Sequence, residues 1–129
     1  MVVKRKKPWE EMRMFDIDSV PETQRVAMEA LEKWWMETAA EEAAATISKA
    51  VQYGSSSLTM VGEMLHGIAP DLEGVVSEQE LAITFYIFGK MARIMAALER
   101  GEQPSMEHWE DVGIYTKMIA YVRQNGSWV

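Results

Sequence analysis

Residues 81–98 read LAITFYIFGKMARIMAAL, and they limit the possible folds more than any other stretch. Their only charges are Lys90 and Arg93, both positive. A helix that is apolar on nearly every side is normally buried. Burying unpaired charge is costly, so two cations in such a helix require anionic partners. Glu107 and Asp111, spaced by one helical turn in the next predicted helix, are the candidates. A cluster of acids and bases inside a helical body is either a structural ion-pair network or a site. The site would bind an anion, directly or bridged by a metal.

The rest of the chain also reads as helix. Ser19-Val20-Pro21-Glu22 has the pattern of a helix start, with Ser as N-cap and Glu three positions on. The first helix is expected over about residues 20–52, free of Gly and Pro beyond Pro21 and rich in Ala, with a break considered at residues 43–45. Tyr53-Gly54 ends it, and the three serines that follow suit a new N-cap. A short second helix covers residues 58–65, and a loop covers residues 67–74. Ser77-Glu78-Gln79-Glu80 is a capping box that opens the third helix. Residues 101–104 break it, Ser105 caps a fourth helix over residues 106–123, and Asn125-Gly126 ends that one. No alternating strand pattern and no fixed-length repeat occurs. The expectation is an all-α four-helix bundle with the third helix at its centre and an N-terminal arm over residues 1–18, leaving residues 19–129 as a single helical domain.

Composition narrows the function classes. A chain of 129 residues with 48% hydrophobic and 26% charged residues suits one globular domain. A net charge of -7 repels nucleic acid and acidic membranes; the exception is KRKK at residues 4–7. Cysteine is absent, so there is no disulfide framework and no thiolate metal site, and a reducing cytoplasm is the expected compartment. The basic start leads to Pro8 and Trp9, not to an apolar core, so no signal peptide is expected. Residues 81–98 have the minimum length of a membrane span, but Lys90 and Arg93 at the centre would be costly in lipid.

The fourth helix places Ile114, Tyr115, Met118 and Val122 on one apolar arc, and Glu107 and Asp111 fall inside it. The helix dipole favours acids in a first turn, which accounts for Glu107 but poorly for Asp111. Lys90 and Arg93 share a helix face; they either pair with these acids or reach a phosphate. The first helix offers Glu37, Glu41 and Glu42, and the second offers Glu63. Glutamates on a helix surface are usually just solvated, yet acids from two helices are how a bundle builds a magnesium site. His66 and His108 lack a helical partner at metal spacing, and a surface position is expected for His108. No phosphate-binding glycine motif and no nucleophile elbow is present.

Residues of about 42–122 resemble the compact, phage-encoded relatives of MazG, the all-α nucleoside triphosphate pyrophosphohydrolases. The resemblance rests on the order of several pieces: Glu42-Ala43 leading to Gln52-Tyr53-Gly54, then Ser77-Glu78-Gln79-Glu80-Leu81-Ala82 running into Gly89-Lys90-Met91-Ala92-Arg93-Ile94, then Glu107-His108-Trp109-Glu110-Asp111 followed by Tyr115. It implies carboxylates on helices that hold Mg2+, a metal that binds the triphosphate and helps activate water, and release of pyrophosphate. By this resemblance Glu107 and Asp111 are metal ligands, Glu41 with Glu37 or Glu42 completes the cage, and Glu63 stands in reserve. Lys90 and Arg93 neutralise phosphate oxygens or hold the acids in place. The sequence departs from the family pattern where three serines follow Gly54, where Thr59 replaces an asparagine, and where Glu107 replaces an aspartate. Its acid pairs also have one residue more between them than the usual Glu-x-x-Glu and Glu-x-x-Asp.

Two readings follow. The first is a magnesium-dependent nucleotide pyrophosphohydrolase or nucleotide-binding relative, acting on a nucleoside triphosphate as a homo-oligomer, expected to be a dimer, in the cytoplasm of the host if phage-encoded. The alternative is a non-catalytic phage module that binds a host protein, with the basic arm, Trp9 and Ser127-Trp128-Val129 as contact elements. Acids converging on an open cavity favour the first; closed ion pairs suffice for the second.

Overall fold

A computed structural model describes residues 17–129 except Tyr53. The described residues are all-helical, with no strand among them. The helices are α1 (Glu22–Lys49), α2 (Ser55–Ile68), α3 (Glu78–Glu99) and α4 (Met106–Asn125), with short 3-10 turns at Ile17–Ser19 and Pro70–Leu72. The basic run at residues 4–7 and Trp9 lie outside the described residues.

Contacts divide the chain into two units, Met1–Glu41 and Glu42–Val129, and the division falls within α1. In the first unit, α1 begins where the Pro21 carbonyl accepts from the Gln24 and Arg25 amides, each at 3.0 Å. That is just after the expected start at Val20, and the expected N-cap Ser19 lies in the 3-10 turn. Proline suits this place because it has no N–H for a helix to satisfy. Trp34 and Trp35 pack edge-to-face at 6.1 Å, and both stay exposed. No residue of α1 is buried, and the helix runs through residues 43–45 without the break considered there.

The second unit holds the core. Leu58 of α2, Ala82 and Ile83 of α3, and Met118 and Val122 of α4 form one buried cluster. The start of α3 meets the end of α4, where Arg123 donates to Glu80 Oε1 from Nε at 2.8 Å. Farther along α3, Lys90 meets Asp111 near the start of α4, so these two helices are antiparallel. The bond to Glu80 and the charge of that carboxylate raise the Arg123 pKa above its ordinary value. Ser77 caps α3 by accepting from the Glu80 amide at 3.2 Å, as the capping box predicts. The Glu80 carboxylate meanwhile faces Arg123. Ser105 caps α4 through the Glu107 amide, and Gly126 ends it in the left-handed region at φ 85°.

The α2–α3 crossing depends on Gly62, which is buried. A methyl group there would collide with the backbone of Glu78. α2 is longer than expected, starting at Ser55 with Gly54 as N-cap. α3 carries the most buried side chains of the described helices, but on one face only: Gln79, Ala82, Ile83, Ile94 and Ala97. On the other face Phe85, Phe88, Met95 and Leu98 are more than half exposed. The expectation of burial on nearly every side is therefore corrected, because α2 and α4 cover only one side of it.

Candidate functional site

The apolar arc of α4 turns toward α3 at the level of Lys90, and a cavity of about 520 Å³ opens there. It lies wholly within Glu42–Val129. Its charged wall is Lys49 from the last turn of α1, Lys90 from α3, and Glu107 and Asp111 from α4. Its apolar wall is Leu58, Tyr86, Ile114, Tyr115, Met118 and Trp128. The rings of Tyr86 and Tyr115 lie 5.9 Å apart and tilted by 38°. Each tyrosine sits one helical turn from a charged residue of the site, Tyr86 from Lys90 and Tyr115 from Asp111, which places aromatic and ionic groups on one helix face.

Lys90 Nζ lies 2.7 Å from Asp111 Oδ2, with the two side chains 16% and 30% exposed. That distance is a charge-assisted hydrogen bond. It explains how α3 carries a cation on its covered side. Glu107, one turn before Asp111, is exposed at the cavity rim.

Arg93, Glu42 and Glu63 do not line this cavity. Arg93 is exposed and has no ion pair among the described residues, because a long arginine stem can carry its guanidinium to solvent. The expectation of an acidic partner thus holds for Lys90 and not for Arg93. Glu42 is half-buried on α1 and Glu63 is exposed on α2; neither lines the cavity. Glu37 and Glu41 belong to the first unit, where Glu37 lies 4.0 Å from Lys33 in an exposed pair. His108 is half-buried, in place of the surface position expected, and His66 is buried with Nδ1 3.7 Å from Glu78.

Lys49, Tyr86 and Gln79 were not singled out in the sequence. Tyr86 had a usable signal, its one-turn spacing from Lys90. Lys49, a cation in the last turn of a helix, carries no such signal.

Family models, curated proteins and solved structures offer no match to this chain. The site must therefore be read from its own chemistry.

The donor set can be tested against Mg2+. Among the described residues no three His, Cys, Asp or Glu side chains come together as a metal group. The cavity supplies two carboxylates, one of them already bonded to Lys90. Magnesium is commonly held by one or two carboxylates, with water and substrate phosphates filling the remaining positions. Glu107 and Asp111 fit that mode.

Proposed function

We propose that this chain is a magnesium-dependent nucleotide pyrophosphohydrolase of MazG-like type, or a nucleotide-binding relative, taking a nucleoside triphosphate. The observation that carries the reading is one cavity that brings charged and aromatic side chains together. Lys49, Lys90, Glu107 and Asp111 border it together with Tyr86, Tyr115 and Trp128. A nucleotide carries both complements, a polyanion and a flat ring.

In this reading Glu107 and Asp111 would hold Mg2+. The ion, when bound, supplies Lewis acidity and a more acidic water. Lys90 exchanges its bond to Asp111 for a phosphate oxygen, and Lys49 adds a second positive charge. The apolar wall excludes water from the ring end. The test is a panel of ribo- and deoxyribonucleoside triphosphates incubated with Mg2+ and scored for pyrophosphate. At least one should release pyrophosphate, and release from none rejects the hydrolase.

The exposed face of α3 supports a second reading. Phe85, Phe88, Met95 and Leu98 make a large apolar stripe. Such stripes mark contact surfaces. Under the leading reading a second copy covers it, giving a dimer. Under the alternative, a non-catalytic phage module, a host protein covers it, and the Lys90–Asp111 pair is only structural.

A further inference from the structure

At Gly126 the chain leaves α4 and turns back, and Ser127, Trp128 and Val129 follow as a strap. The polar groups of the strap converge on the starts of α2 and α3. The Trp128 amide donates to Gln79 Oε1 at 2.7 Å. Gln79 Nε2 donates to Ser127 Oγ at 3.1 Å and to Thr59 Oγ1 at 3.2 Å. The Ser55 amide, at the first turn of α2, donates to the Val129 carbonyl at 3.1 Å. Gln79 itself is only 8% exposed. A buried glutamine needs partners for both ends of its amide, and the strap provides one for each.

This latch holds the backbone that carries the indole of Trp128. One side of that ring meets Tyr121 edge-to-face at 5.5 Å. The residue also borders the cavity, with Tyr86, Tyr115 and Leu58.

We infer that Trp128 is the ring-binding wall of the cavity, and that Gln79 is a positioning residue that holds it there. The ligand class is a flat aromatic ring, a nucleobase, which rests on the nucleotide reading of the same cavity. Base–aromatic contacts tolerate any base, since every base has a π face. Gln79 touches no ligand; it acts through the strap.

The experiment uses the full chain labelled with 5-fluorotryptophan, and free adenosine, guanosine, cytidine and uridine at millimolar concentration, without metal or phosphate. The Trp128 fluorine resonance is assigned by its absence from Trp128→Phe. At least one nucleoside should shift it in the unsubstituted chain. Read from the nucleoside's own proton resonances, which need no probe at position 128, Trp128→Leu should weaken that nucleoside about tenfold, a typical loss for one stacking side chain, and Trp128→Phe should stay within about twofold. Gln79→Leu keeps the tryptophan but releases the strap, so it should also weaken the nucleoside and should move the Trp128 fluorine resonance of the free chain. A fluorine signal that no nucleoside moves overturns the inference, and does so even if Trp128→Leu fails to fold. Unchanged binding by Trp128→Leu overturns it as well, and unchanged binding by Gln79→Leu removes the positioning role. Pyrophosphate release with an unmoved Trp128 signal leaves the hydrolase and removes the wall. A moved signal without release from any nucleotide does the reverse.

Discussion

Removing the charge of Asp111 while keeping its shape separates two roles of one side chain. Its carboxylate bonds Lys90 at 2.7 Å and borders the cavity. Asp111→Asn should abolish magnesium-dependent pyrophosphate release, because a hard cation needs the charged oxygen. The pair is neither fully buried nor fully exposed, so its loss should cost about 1–2 kcal/mol in a denaturant melt. A larger stability loss, with no hydrolysis by the unsubstituted chain, would mark the pair as structural. At this scale the sequence was partly legible. Asp111 lay on an apolar arc, too far into its helix for the dipole to explain, and Lys90 needed an anion. Arg93 gave the same signal and went to solvent. Composition records that a helix carries a cation, but not whether the stem is long enough to escape.

Local capping chemistry placed the helix ends of the second unit well. Ser77, Ser105 and Gly126 act as their residue types suggest, since each satisfies or releases backbone groups next to it in sequence. Gly62 has a different role that only the crossing of α2 over α3 reveals. Gly62→Ala should destabilise the chain by about 1–3 kcal/mol, the usual cost of forcing extra volume into a close contact. Gly89 is the control: it is also helical, but an added methyl meets nothing within 4 Å. Gly89→Ala should raise stability by up to about 1 kcal/mol through helix propensity. Thermal or urea melts of both variants check the pair; equal shifts would mean the close approach at Glu78 is unimportant. Gln79 was equally hidden. Its partners come from residues 55, 59, 127 and 128, and no short-range pattern links them.

Across the whole molecule, the all-helical class was legible because strand periodicity is missing and helix punctuation is regular. The depth of burial was not. The composition of α3 shows what that helix is able to bury, whereas the amount buried depends on how many other elements the chain lays against it. Here two helices cover one face and leave Phe85, Phe88, Met95 and Leu98 outside. The proposed pairing of two chains predicts a dimer mass by light scattering at micromolar concentration. Phe88→Glu should return a monomer with unchanged helix content, since Phe88 is 66% exposed and adds little to the core of one chain. A monomer mass for the unsubstituted chain would reject the pairing and leave the face to another partner.

The latch at Gln79 also sets a clock. An amide held as the Trp128 amide is, by a buried side-chain oxygen at 2.7 Å, exchanges its hydrogen with solvent only when that bond opens. Its exchange rate therefore counts openings of the strap in the unaltered chain. The Ser55 amide, bonded to the Val129 carbonyl, should keep the same time if the strap lifts as one piece. Deuterium uptake at these two amides should match within a few fold, and should slow together when a ring occupies the cavity. Unequal rates would show the two ends of the strap opening separately.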